Sequence, residues 1–493
     1  MNPNTPVIVG ISQIQQRIAN PHSDPQVGDE PIDMMINAVR AAAADAGNVK
    51  MLTSVESVRV VRGVWRYRQP AGYIAEKIGS PGAETFGTPF GGNSVQSTVN
   101  KSAIEILNGD KSLIILTGAE NGNTLAKARK LGVELSYKTT HVGPYDRMLG
   151  NEDAMACEAE MARGIRTPIQ MYPIFENAIR YQRGETIEQH IKRVSGMWAG
   201  FSQVAVNNPG AWIREVFDAG TIRTASDKNR MVSFPYTKLM NSNSAVDMAA
   251  ALIMCSVEKA KSYGIPESRW VYPWTGTDAH DHNFVSARDN LYSSPAIRLA
   301  GSRALELANV SVDDLDFVDV YSCFPSAVQV AATELRLSFD RPLTVTGGLT
   351  FGGGPLNNYV MHSIARMVEL NRENPGKVGL ITANGGYLTK HAFGVYSSAP
   401  PAMDFQYENL QSEVDATPKR EWVVDHDGEV VIESYTVMYE SGEPAVGHAA
   451  CLTPDGKRTW ANTEDRELSR EMTQAEFCGR RASINGEGVL NIL

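Results

Sequence analysis

Thr88-Pro89-Phe90-Gly91-Gly92-Asn93-Ser94-Val95-Gln96-Ser97-Thr98 is a polar, glycine-rich turn that runs straight into an amphipathic helical stretch, Val99 to Leu107. A break at Asn108-Gly109-Asp110 follows, then Ser112-Leu113-Ile114-Ile115-Leu116-Thr117-Gly118, an apolar run of the kind a buried strand carries. This order places the turn at a helix N-terminus. Free backbone N–H groups and the helix dipole there favour an anionic or strongly polarised group. The turn holds no cysteine.

The same plan recurs later in the chain. Leu315-Asp316-Phe317-Val318-Asp319-Val320 reads as a strand, and Thr346-Gly347-Gly348-Leu349-Thr350-Phe351-Gly352-Gly353-Gly354-Pro355 as a glycine-rich turn. Val360 to Leu370 reads as a helix, and Lys377 to Ala383 as a strand ending at Asn384-Gly385-Gly386. Turn, helix and strand in one order, twice, point to an internal duplication of one α/β unit with parallel strands and flanking helices.

Pro6-Val7-Ile8-Val9-Gly10-Ile11 supplies a first strand, Pro31 to Ala44 a helix, and Ser57 to Val61 a short strand. From about Asn121 to Met240 the texture changes to Met, Tyr, Trp, Arg and Pro, with helical segments such as Met155–Gly164 and Ile187–Ser202. This reads as a mostly helical insertion over one face of the core, the kind of element that shapes a cleft. Glu413 to Glu421 reads as a charged linker. Beyond it come strands at Glu429–Tyr439, Ala445–Leu452, Thr459–Asn462, Phe477–Cys478 and Ala482–Ile484, separated by Asp-Gly, Ser-Gly and Asn-Gly turns. That pattern predicts a small antiparallel barrel.

A chain of 493 residues, 42% hydrophobic and 21% charged, fits two or three globular units with substantial cores. A net charge of -10 argues against nucleic acid or an anionic membrane as partner. No apolar run is long enough to span a bilayer, and the N-terminus lacks the basic and apolar regions of a secretory signal. Five scattered cysteines without Cys-x-x-Cys spacing suggest neither disulfides nor structural zinc, so a reducing cytoplasm is expected.

In order and spacing these segments resemble the thiolase superfamily, in its sterol-carrier-protein-thiolase branch. The resemblance runs over roughly residues 5–398. Beyond the first strand and the Gly-Gly-Asn-Ser turn, it rests on four further stretches: Phe234 to Met240, Asp247 with Ala249-Ala250-Ala251, Val318 to Phe324, and Gly347-Gly348 leading to Gly353-Gly354-Pro355-Leu356. With its added barrel the chain resembles mycobacterial thiolase-like proteins of type 1. The resemblance implies a duplicated α/β fold with two βαβαβαββ-type halves layered α/β/α/β/α, plus a C-terminal antiparallel β-barrel of the oligonucleotide/oligosaccharide-binding kind. It divides the chain into an N-terminal half at 1–120, the insertion at 121–240, the end of that half and a crossover at 241–300, a C-terminal half at 301–405, and the barrel at 418–493.

A thiolase needs a thiolate nucleophile, a histidine that lowers its pKa, a second cysteine as acid/base, and donors for two oxyanions. By the resemblance, the nucleophile position falls on Asn93 and the activating histidine on Gly354. An oxyanion donor falls on Tyr321, and the second cysteine falls within Thr382-Ala383-Asn384. Groups that act as a unit fail as a unit. The resemblance therefore implies a protein that handles acyl-CoA thioesters without thiolysis or Claisen condensation by the usual route. No cofactor is implied beyond CoA or acyl-CoA as ligand.

Two alternatives are an atypical acyltransferase or retro-aldolase acting on 3-hydroxyacyl-CoA, and a non-catalytic scaffold whose barrel docks a protein partner. Residues available for other chemistry are Tyr321, Cys323, Tyr387, Lys390 and His391. Ser242-Asn243-Ser244 falls where thiolases approach the CoA pantetheine. The His-x-His of Asp278-Ala279-His280-Asp281-His282 is read as a polar loop, with no metal site expected. Thiolases dimerise along the sheet edge beside the nucleophile turn; here both monomer and dimer stay open.

Overall fold

The computed structural model describes residues 2–17 and 24–493. Its first sheet runs, in spatial order, Pro6–Gln15, Asp247–Ser256, Leu113–Asn121, Ser57–Val60, Glu84–Gly87 and Arg147–Met148. Its second runs Gln406–Asn409, Tyr272–His280, Lys390–Ser397, Val378–Gly385 and Phe317–Asp319. The duplication is visible in the pairing. In the first sheet, Pro6–Gln15 pairs antiparallel with Asp247–Ser256, which pairs antiparallel with Leu113–Asn121, which pairs parallel with Ser57–Val60; in the second, Tyr272–His280, Lys390–Ser397, Val378–Gly385 and Phe317–Asp319 repeat that sequence of pairings. Strands buried on both faces read as unbroken apolar runs, which is the character of Leu113–Asn121 and Asp247–Ser256.

Two helices, Ser94–Leu107 and Tyr359–Glu373, lie between the sheets, each packed on strands of both. Pro31–Asp45 covers the outside of the first sheet. The helix that follows the glycine turn is therefore enclosed on almost every side, not amphipathic in the ordinary sense. Its buried polar residues pair internally: Gln96 donates to Asn100 at 2.8 Å and accepts from the Tyr396 hydroxyl at 2.8 Å. Glu105 is ion-paired with the fully buried Arg59.

The insertion contributes the helices Pro168–Gln182 and Ile187–Asn207, both opened by a Thr capping box. The segment expected to be helical over Met155–Gly164 is helical only over Glu158–Ala162. A short insertion strand, Met231–Ser233, pairs with the C-terminal unit through Ser233 and Met438.

That unit carries five antiparallel strands in the order Arg458–Thr463, Glu443–Leu452, Gly428–Glu440, Arg481–Ile484 and Leu490–Ile492. Its two edges approach each other through an Asn462–Val489 bridge and an N–H of Asn462 donated to the Gly488 carbonyl at 2.9 Å. Phe477–Cys478 forms a turn, not a strand, and the helix Arg466–Met472 precedes it. The stretch read as a linker is held down: Gln411–Asp415 is helical with Val414 buried, and the Arg420 N–H donates to the Ala287 carbonyl at 2.9 Å. Trp460 of this unit belongs to the main apolar core of the molecule. Arg458 forks onto Glu433 at 2.7 Å and donates to the carbonyls of Val285, Ser286 and Arg288.

Candidate active-site cleft

Gly91 and Gly92 form one wall of a cleft of about 330 Å3 at the junction of the two halves and the insertion. Glycine at 92 is a steric requirement. A Cβ there would lie 2.4 Å from both the Asn384 carbonyl oxygen and the Tyr321 hydroxyl. Tyr321, Cys323 and Tyr387 line the cleft together, as do Ser242 and Ser244. The strand Phe317–Asp319 delivers Tyr321 and Cys323 just beyond its end, and the strand Val378–Gly385 delivers Asn384. The Tyr321 N–H is fixed by the Thr382 hydroxyl at 2.9 Å.

The insertion supplies Tyr172, which reading the sequence did not single out. Its ring stacks on Phe324 with centroids 4.5 Å apart. Its hydroxyl donates to the Gly386 carbonyl at 3.3 Å and accepts from the Leu388 N–H at 3.1 Å and from the Asn384 amide at 2.9 Å. The only sequence signal for this helix is local, the Thr167–Gln170 capping box. Nothing in it announces a partner more than two hundred residues away. Burial pushes the Tyr172 and Tyr321 hydroxyls well above the ordinary phenol range, and the Tyr387 hydroxyl to about 12, so all three are neutral proton donors. Burial likewise pushes the Cys323 thiol up to about 12. It lies 3.8 Å from the Asn384 amide nitrogen, a contact too weak to favour a thiolate. Among the described residues no histidine lines the cleft.

Several sequence candidates sit elsewhere. Asn93 occupies the helix cap in a helical conformation with no capping bond, and its side-chain carbonyl has no hydrogen-bond partner. It lines a second cavity on the other side of the turn. Gly354 lies under Ser242: its N–H donates to the Asn243 carbonyl at 2.9 Å, and a Cβ on it would fall 2.2 Å from the Ser242 hydroxyl. Asn243 is spent on this turn, its own amide oxygen accepting from the Ala245 N–H at 3.2 Å. His391 does not reach the cleft. It is buried, its Nε2 3.2 Å from the Leu388 carbonyl and 3.4 Å from Asp281. In an antiparallel strand successive side chains alternate faces, so Lys390 and His391 cannot both face one site. Lys390 faces the second cavity.

The Asp278–His282 segment was read as a loop, but Asp278, Ala279 and His280 end the strand Tyr272–His280. His282 lies 3.2 Å from the Pro418 carbonyl. Among the described residues no cluster of three or more His, Cys, Asp or Glu side chains has metal-holding geometry, and no helix is long and apolar enough to cross a membrane.

Comparison with known proteins agrees with this geometry. The family described as thiolase-like protein type 1 additional C-terminal domain matches residues 409–489. Two acetyl-CoA acetyltransferases are similar to parts of the chain. That of Methanocaldococcus jannaschii is 28% identical over 115 residues, 20% of this chain and 29% of that protein. That of Methanothermobacter thermautotrophicus is 25% identical over 263 residues, 48% of this chain and 65% of that protein. The matched part thus spans less than two thirds of either relative. Among solved structures, a monomeric SCP2-thiolase like protein type 1 from Mycobacterium smegmatis superposes with a TM-score of 0.84 at 29% identity, covering 100% of this chain and 99% of that one. An Ltp2–ChsH2(DUF35) aldolase superposes with a TM-score of 0.61 at 18% identity over 80% of this chain and 98% of that one, a likeness of fold. The duplicated sheets, the turn between them and the matched C-terminal unit lead to one assignment: the chain has a thiolase-like fold and the architecture of thiolase-like protein type 1.

Proposed function

We propose that this protein binds acyl-CoA thioesters in the cleft beside Gly91-Gly92 and does not carry out thiolysis or Claisen condensation by the usual thiolase route. The observation that carries this reading is the environment of Cys323, the one thiol in the cleft. It is buried, its pKa is raised to about 12, and no imidazole among the described residues lines the cleft to draw off its proton. A thiol in that state is a poor nucleophile. The helix N-terminus at Ser94, the tyrosine hydroxyls, and the small polar Ser242 and Ser244 suit a thioester carbonyl and the amides behind it. Calorimetric titration with CoA and acetyl-CoA tests the binding half of the reading, with micromolar affinity expected. No heat up to millimolar ligand would leave a protein-binding scaffold as the better reading. Incubation with acetoacetyl-CoA and CoA tests the catalytic half, with no acetyl-CoA formed.

A second reading, cleavage of a 3-hydroxyacyl-CoA by retro-aldol chemistry, is favoured by three neutral tyrosine hydroxyls around one cleft. As the C2–C3 bond breaks and the 3-hydroxyl becomes a carbonyl, a neutral phenol can protonate the enolate carbon and take up in exchange the proton that the 3-hydroxyl gives up. Tyr321→Phe and Tyr387→Phe should then abolish turnover of a 3-hydroxyacyl-CoA, and unchanged rates in both would end this reading.

A further inference from the structure

The Pro89–Asn93 turn has a cavity on each side. Behind it, away from the cleft, lies a second space of about 320 Å3 whose wall is completed by the Leu149–Asp153 segment. Three nitrogen-bearing side chains reach this space from three elements: Lys101 from the helix after the turn, His280 from the end of Tyr272–His280, and Lys390 from the paired strand. Lys390 and His280 are direct cross-strand partners, so their side chains share a face. The Lys390 side chain is only 11% exposed, yet its ion-pair partner is Asp153 at 3.4 Å, an aspartate that is half exposed. Charge-assisted contacts ordinarily close to about 2.7–2.9 Å. Lys101 is likewise loosely held, 3.7 Å from Glu105.

The second carboxylate in the space, Asp278, is already occupied by the Ser97 hydroxyl and by the Asn100 amide at 2.9 Å. The His280 ring is kept neutral by burial and by the adjacent Lys390 charge, which leaves it one N–H to donate. Among the described residues, then, a largely buried ammonium is ion-paired only through a long contact to a half-exposed surface carboxylate.

We propose that this cavity is a binding site for a small oxyanion, a phosphate or carboxylate group, held by Lys390, Lys101 and His280 in place of Asp153. It is distinct from the thioester cleft and does not depend on what that cleft binds.

The test is titration of the intact protein with inorganic phosphate and, separately, with acetate, read by calorimetry and by the shift in melting temperature. Saturable binding is expected for at least one of them, and the tighter of the two tells whether the natural ligand presents a phosphate ester or a carboxylate. Lys390→Met should weaken that binding about tenfold or more, the effect of losing one charged hydrogen bond. Asp153→Asn removes the internal competitor on the surface and should tighten it; this arm stands even if the lysine variant folds poorly. Absence of saturable binding of either anion, equal affinity in Lys390→Met, or no tightening in Asp153→Asn would each overturn the site.

Discussion

The Ser242 hydroxyl occupies the space that any side chain at Gly354 would need, 2.2 Å from where a Cβ would stand. The Leu349 and Asn243 carbonyl oxygens lie only 3.2 and 3.3 Å from the same point. The position is filled by its neighbours, not merely stripped of a histidine. Gly354→His should therefore destabilise the protein by about 1–3 kcal/mol, as overpacking does. The double variant Asn93→Cys/Gly354→His should still form no acetyl-CoA from acetoacetyl-CoA and CoA. Thermal melting and a thiolysis assay check the two halves of this expectation, and restored thiolysis would refute it.

The C-terminal antiparallel unit and the thiolase-like core share one interior. Trp460 packs in the main core and donates through its indole N–H to the Ser286 hydroxyl at 2.8 Å, and that hydroxyl donates to Glu160 at 2.7 Å. Trp460→Ala should cost about 3–5 kcal/mol in urea denaturation. A chain ending near residue 410 should not yield a stable, monodisperse protein, because it would uncover the same surface. A truncated chain with unchanged melting behaviour would show that the C-terminal unit is a separable module.

Glu120 gives the stability a pH dependence of known sign. Its carboxyl is buried beside Val64, whose N–H donates to it at 3.0 Å, and one of its oxygens has no partner. Burial raises its pKa to about 8. The folded state thus holds a proton that the unfolded chain releases near the ordinary carboxyl pKa of about 4.3. Its contribution to stability is full below that pH and is lost as the pH rises toward 8. Glu120→Gln should melt higher than wild type at pH 8–9, by up to a few kcal/mol, with the difference shrinking toward pH 5. Parallel melting curves across that range would contradict this account.

The sheet edge beside the glycine turn is already taken. Glu84–Gly87 pairs with Arg147–Met148, and Asp146 accepts from both the N–H and the hydroxyl of Thr85 at 2.8 Å. Sedimentation at micromolar concentration should therefore show a monomer. A stable dimer with wild-type Asp146 would mean that association uses some other surface.

How far the sequence carried the reading follows from the range of each signal. The turn, its helix and the strand read over Ser112–Gly118, which the structure extends to Asn121, were legible because glycine placement and apolar periodicity are local. The duplication was legible because the same local order occurs twice. What failed was long-range. The stretch Val99 to Leu107 looked amphipathic because Asn100 and Glu105 are polar, whereas the second sheet and Arg59 cover them. Lys390 and His391 were drawn to the cleft by proximity in sequence, and the pleat of their strand sends them apart. Tyr172 was invisible because its role depends on contacts with Asn384 and Leu388. Tyr321 came from the resemblance, and Cys323 and Tyr387 from their places just past strand ends; the three line one cleft. Asn93 and Gly354 were found only as gaps in a familiar pattern.

The pairing of Pro6–Gln15 with Asp247–Ser256 has a consequence for how the molecule is made. The strand Pro6–Gln15 must wait for residues up to 256, on the order of ten to fifty seconds at cellular rates of synthesis. Until then Val7, Ile8 and Val9, all fully buried in the finished protein, have only provisional company. Such long-range pairing is slow to form and leaves apolar strand surface exposed in the meantime, so elongation rate enters the folding of this chain as well as final stability.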